Sequence, residues 1–253
     1  MTETNSATEQ RREQILRLVA KAFYRELTNY GVGQNEILRV ANHLLDSLVR
    51  KEEAPDDVRG RFDSTLKVER VQDDWDARRV IEMGGVTIRP LHASEIHKVV
   101  EWLQEEGIPE SFVPALPRTS EAVMAYFAEP ERDYFAIVHE GEFVGVIGAE
   151  NADLDDEKLE MKKMVGVREA RGMGIGTKAT FAFLYHAFMI RKAHKVFTHT
   201  YDTNVRNLNL NSHLGFEVEG ILLEEMKQGQ RHVDVVRMGL LRPIWLALFS
   251  DES

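Results

Sequence analysis

The sequence predicts an α/β protein, and three observations carry that expectation. Runs of β-branched and apolar residues of strand length alternate with helical periodicity from about residue 85 onward. A strand pattern ending at Val165-Gly166-Val167 passes through Gly172-Met173-Gly174-Ile175-Gly176 into a long helical pattern. Two amphipathic stripes before residue 50 add an N-terminal helical appendage.

The elements follow in order. Residues 8–30 read as a helix in which Ile15, Leu16, Val19, Phe23 and Leu27 recur at helical spacing, and Gly31 stops it. Asn35 is the expected N-cap of a second helix with Ile37, Leu38, Ala41, Leu44, Leu45, Leu48 and Val49 on one face. Residues 52–84 are charged and read as a connector with room for another short helix. Val86–Leu91 is a short strand closed by Pro90, Ser94 caps a helix carrying Ile96 to Leu103, and Thr119-Ser120 opens another through Phe127. Tyr134–Val138 and Phe143–Ile147 form a hairpin about Glu140-Gly141-Glu142. An acidic turn from Asp153 to Glu157 leads to a strand over Leu159–Val167. After the glycine segment come a helix to about Lys192, a strand at Lys195–Thr200 and a helix at Asn204–Leu214. A last hairpin has arms Phe216–Lys227 and His232–Leu240, turning near Gly229. The expected division is an appendage and connector over 1–84 and one α/β domain over 85–253.

Composition narrows the classes. With 43 % hydrophobic and 29 % charged residues in 253, the chain has the balance of a water-soluble globular protein. No apolar run reaches membrane-span length, and Met1–Ser6 lacks a basic-then-apolar leader, so a cytoplasmic location is the default expectation. Cysteine is absent, which excludes disulfides, thiolate metal sites and a cysteine nucleophile. A formal charge of −10 argues against nucleic acid and anionic membranes as partners and weakly favours cationic acceptors. No histidine pair has metal-ligand spacing, so no metal is expected.

The glycine segment decides the chemistry. A strand entering a glycine loop and then a helix presents free N–H groups and the positive end of a helix dipole, a setting for phosphate. The spacing is not G-x-x-x-x-G-K-[ST] of nucleotide hydrolases. It is also not the dinucleotide G-x-G-x-x-G, because the next strand ends without an acid for a ribose. Arg171, Gly174 and Gly176 instead match R-x-x-G-x-G, in the string RGMGIG. Here the chain resembles the GNAT superfamily of acetyl-CoA-dependent N-acetyltransferases, over about residues 85–245.

That resemblance implies a mixed, mostly antiparallel sheet with flanking helices, and acetyl-CoA as co-substrate. It places the diphosphate on the backbone of Arg171, Gly172, Met173, Gly174, Ile175, Gly176 and Thr177, with Arg171 either touching phosphate or ordering the loop. The strand before the loop and the one after it splay apart around the pantetheine arm, and a backbone N–H near Val165 or Val167 holds the acetyl carbonyl. Asn204 matches the leading asparagine of the family's later motif. Glu160, eleven residues before Arg171, stands where histone-type members carry a catalytic glutamate, although Lys162 and Lys163 nearby are potential ion-pair partners. Glu150 is a second carboxylate candidate, and His199 an alternative base beside the cleft.

The tyrosine that protonates the thiolate in many members is replaced by Asn211, and a carboxamide is no acid at neutral pH. Ser212, His213 and Tyr201 are the remaining candidates, while Asn211 retains a hydrogen-bonding role toward sulfur or cofactor amide. Loss of the tyrosine, with Asn204, Gly215-Phe216 and Asp234, looks like the RimL/RimJ-like and amino-sugar acetyltransferase branch. The activity so implied is direct acetyl transfer to a primary amine, small or protein-borne, in a ternary complex, with a homodimer among the expected states. The competing reading is a CoA-binding scaffold whose catalytic acid is lost and whose appendage binds a partner.

Overall fold

The computed structural model describes residues 65–105, 119–153, 156–201, 204–228 and 230–251, with scattered positions between Arg17 and Leu38. Its centre is a nine-stranded sheet: β1 Gln72–Asp74, β2 Val80–Met83, β3 Val86–Pro90, β4 Asp133–His139, β5 Glu142–Asp153, β6 Lys158–Val165, β7 Lys195–Tyr201, β8 Glu217–Gln228 and β9 Arg231–Leu241. In space the order is β1-β2-β3-β4-β5-β6-β7-β9-β8. Every neighbouring pair is antiparallel except β6 and β7, the one parallel pair. Among the described residues from 65 onward, the α-helices are α1 Trp75–Arg78, α2 Ile96–Trp102, α3 Ser120–Phe127, α4 Ile175–Tyr185, α5 Val205–His213 and α6 Arg242–Phe249.

Both faces of the sheet are covered, which explains why β4 reads as a nearly continuous apolar run. Tyr134 and Ala136 join Val99, Trp102 and Val123 of α2 and α3 on one side. Phe135 and Ile137 join Phe181 and Phe183 of α4 and Trp245 and Phe249 of α6 on the other. The β4–β5 turn takes positive φ at Glu140 (51°) and Gly141 (79°), the twist that a tight hairpin demands. Thr119 caps α3 by accepting from the Ala122 N–H at 3.4 Å. Past Tyr185, α4 runs into a π turn over His186–Ile190.

Several expectations need correction. The stretch 66–83 is not only a connector: Leu66 and Ile81 are buried, and β1 and β2 extend the sheet ahead of the expected boundary at 85. Its apolar residues are interspersed with charges, so the strand period is faint. Ser94 does not cap a helix; it lies inside a one-turn 3-10 segment in which the Glu95 carboxylate accepts from the His92 N–H at 2.9 Å. Trp245 and Phe249, without an assigned element in the sequence, belong to α6 and fill the core beside Phe181. Of the appendage, Arg17, Val19–Arg25 and Leu27–Thr28 are helical, yet Val19 and Phe23 from the expected apolar stripe are exposed. Gly31, Asn35, residues 39–64 and Gly229 lie outside the described residues.

Candidate active site

The site begins where β6 and β7 part. Their parallel pairing covers only Lys158↔Lys195, Leu159↔Val196 and Glu160↔Phe197, and the strands then diverge. The Thr198 hydroxyl donates to the Met161 carbonyl at 3.0 Å across the start of the gap. On the other side of β6, the Gly166 and Val167 N–H groups both donate to the Val144 carbonyl, at 2.9 and 3.2 Å. That converging pair marks a strand distortion at Gly166. It also sets the alternation: even-numbered amides of β6 face β5, so those of Lys163 and Val165 face the gap. Val165 therefore remains a candidate for holding an acyl carbonyl, whereas the Val167 amide is already bonded to Val144. Gly166 is required by packing, since a Cβ there would lie 1.9 Å from the Trp102 ring.

The loop follows directly. Gly172 and Gly174 take positive φ, 94° and 79°, which glycine adopts without strain. The chain then turns into α4 at Ile175, whose side chain is buried. Among the described residues, the amides of Gly172, Met173, Gly174 and Gly176 have no acceptor. With the Ile175 amide, first in the helix, five N–H groups thus stand open at the start of an eleven-residue helix, where the dipole favours an anion. The Thr177 amide differs, donating to the Gly174 carbonyl at 3.1 Å, while its side chain still lines the cleft. Arg171 orders the loop: its guanidinium donates to the Val165 carbonyl at 3.0 Å and the Gly166 carbonyl at 2.6 Å, and pairs with Glu105 at 3.3 Å. Lys178 reaches across to the Gly84 carbonyl at 2.9 Å.

Loop, gap and α5 enclose a cleft of about 630 Å³. Asn204 caps α5 by accepting from the Asn207 N–H at 3.2 Å and lines this cleft. Arg206, which no sequence motif singled out, sits at the mouth; its Nη2 lies 3.1 Å from where a Gly172 Cβ would be. The group suits a diphosphate bearer, with open amides, a nearby guanidinium and no carboxylate among the described lining residues. A family model of the acetyltransferase (GNAT) domain matches residues 86–217, just over half of the chain.

The chain belongs to the GNAT acetyltransferase family. Its sheet is the family's mixed sheet with flanking helices, and the protein is an enzyme of the acetyltransferase class. Solved GNAT structures share the fold. Spermidine N-acetyltransferase from Vibrio cholerae, in complex with CoA and spermine, is 19 % identical and aligns at a TM-score of 0.60 over 64 % of this chain and 98 % of its own. A chimera of that enzyme, SpeG, with hSSAT is 20 % identical, TM-score 0.59, over 64 % and 99 %. A dodecameric form of the Vibrio cholerae enzyme is 19 % identical, TM-score 0.57, over 64 % and 96 %.

The catalytic candidates fall on two faces of β6. Glu160 is buried and receives three donors: His199 Nδ1 at 2.7 Å, Asn151 Nδ2 at 2.8 Å and Lys162 Nζ at 2.5 Å. Burial alone would raise its pKa, but His199 and Lys162 hold it down to about 2. An ionised carboxylate only accepts, so His199 Nδ1 carries the hydrogen, and in the neutral imidazole Nε2 holds the lone pair. Glu150 accepts from the hydroxyls of Tyr126 and Tyr134.

Asn211 does not line the cleft. It is fully buried, and its carbonyl accepts from Lys163 Nζ at 2.8 Å. Ser212 and His213 are exposed, and only His213 reaches the cleft wall. Tyr201 is buried at the end of β7. Lys162 is the ion-pair partner expected for Glu160; Lys163 is not, because successive strand residues point to opposite faces.

Proposed function

We propose that this enzyme transfers acetyl from acetyl-CoA to the primary amine of a small cationic acceptor, by direct attack in a ternary complex. The observation that carries the reading is the row of open amides from Gly172 to Gly176 beside the β6–β7 gap. In this reading those amides and Arg206 hold the diphosphate, and Asn204 and Thr177 border it. The pantetheine arm lies along the gap, and the Val165 N–H polarises the thioester carbonyl. On the opposite face of β6, His199 Nε2 takes the proton of the attacking amine. Glu160 fixes the tautomer and offsets the charge of the imidazolium, as a carboxylate behind a histidine does. Glu160 is thus a positioning carboxylate, because a pKa of about 2 makes it a weak base.

A small cationic acceptor is supported by the formal charge of −10 and by the spermidine acetyltransferases that share the fold. The dodecameric relative supports self-association. No helix among the described residues is long and apolar enough to cross a membrane. A thiol-release assay with acetyl-CoA and a panel of polyamines, amino sugars and peptides tests the proposal. Turnover is expected on polyamines or amino sugars; CoA binding without turnover on any amine would contradict it.

A further inference from the structure

The departing CoA sulfur needs a proton, and the usual tyrosine position holds Asn211. Any role for a side chain toward that sulfur rests on the proposed reading of the cleft as an acetyl-CoA site. Lys163 projects from β6 into the angle between α4 and α5, half-buried and open on the cleft side. Its Nζ donates to Asn211 Oδ1 at 2.8 Å and to Thr180 Oγ1 at 3.2 Å. The Thr180 hydroxyl donates onward to the Gly176 carbonyl at 2.6 Å, so its oxygen is free to accept from the lysine. An ammonium has three hydrogens. Two are directed to these partners, and the third has no acceptor among the described residues.

The charged surroundings leave this cation without a counterion. The other titratable groups on the cleft wall are Arg171, Arg206 and His213, none of them anionic. Arg171 is held by two carbonyls and Glu105. Glu160 and Lys162, on the same strand, face the other side of the sheet and bond each other. The groups facing Lys163 from α4 and α5 are the neutral Thr180 and Asn211, and its register partner on β5 is Ile147. Burial in this setting pushes the ammonium down to about 7.

We propose that Lys163 is the proton donor to the CoA sulfur, with Asn211 and Thr180 as positioning residues. As the amine nitrogen bonds to the acetyl carbon and the carbon–sulfur bond breaks, the Lys163 N–H proton passes to sulfur, leaving CoA as its thiol and the lysine neutral. The proton lost by the amine goes to His199. Solvent then returns a proton to Lys163 and removes one from His199, so the cycle closes with no further reactant. Asn211, unable to act as the acid, aims the residue that does.

The thiolate absorbance of enzyme-bound CoA tests this without turnover. In the wild type the lysine is neutral by the pH at which a thiol ionises, so bound CoA should form thiolate at a pH no lower than free CoA. Lys163→Met should likewise leave the thiol unshifted, while the Kd for CoA stays within about threefold. Lys163→Arg keeps its cation at every pH, so its bound CoA should form thiolate roughly one unit or more lower, yet the guanidinium fails to donate near neutral pH. In turnover at saturating acetyl-CoA and amine, both variants should lose roughly a hundredfold in kcat, and with it the alkaline fall centred near 7. A Lys163→Arg complex whose thiol titrates like free CoA, or a Lys163→Arg enzyme with wild-type kcat, would overturn the assignment while leaving CoA binding and acetyl transfer intact. Absence of CoA binding by the wild type would instead remove the underlying reading, and the role of Lys163 with it.

Discussion

His199 and Glu160 divide one task between them, and each predicts a different loss. Removal of the base by His199→Ala should lower kcat by roughly a hundredfold or more, with little change in CoA affinity. Glu160→Gln keeps the shape but removes the charge behind the imidazole, so kcat should fall by about tenfold and the acid limb of the pH profile should move. Glu160 also links stability to pH. Its pKa is about 2 in the fold against an ordinary 4.5, so its stabilisation is complete above about pH 4.5 and is lost as pH falls toward 2. Acid unfolding followed by circular dichroism should therefore be shallower for Glu160→Gln across that window; identical curves would contradict the pairing. Arg171 joins the loop to the end of β6, and Arg171→Ala should weaken CoA binding by about tenfold through disorder of the loop rather than loss of a phosphate contact.

At the scale of elements, the β6–loop–α4 unit depends on close approach. Gly166→Ala drives a methyl into the Trp102 ring and should cost roughly 2–4 kcal/mol in chemical unfolding. Gly174→Ala meets open space but a positive φ, so it should cost only about 1 kcal/mol. These elements were legible because local chemistry speaks for them: Gly141 at a hairpin turn, Thr119 and Asn204 at caps, three spaced glycines after a β-branched run. Elements set by distant partners were not. β2 carries only Val80, Ile81 and Met83 as a strand signal, and pairing with β3 makes it a strand. α6 carries Pro243 in its first turn, and Trp245 finds its core through Phe181 of α4 and Phe188 of the π turn after it. Lys163 was readable in principle, since strand alternation alone separates it from Glu160. Its partners, however, are 17 and 48 residues away in the chain.

Over the whole molecule, the N-terminal helix is tied to the far hairpin by Arg25, which donates to the buried Asp234 carboxylate at 2.8 Å. The same carboxylate accepts from the Glu224 N–H at 2.8 Å, so it couples the appendage to the β8 backbone. Arg25→Ala leaves a buried charge half-satisfied and should cost about 1–2 kcal/mol, a fall of a few degrees in Tm. Asp234 stood out in the sequence as a family resemblance, but its partner in the appendage did not, because nothing local brings residues 209 positions apart together. The sheet, loop and cleft converge on one claim, that the amides of Gly172 to Gly176 grip the diphosphate of CoA at the mouth of the β6–β7 gap. Calorimetric titration with CoA tests it most directly. A saturable one-to-one heat is expected with the wild type, with affinity weakened at least tenfold by Arg206→Ala and Gly174→Val together; no heat with folded wild-type protein, or an undiminished affinity in that double variant, would contradict the claim.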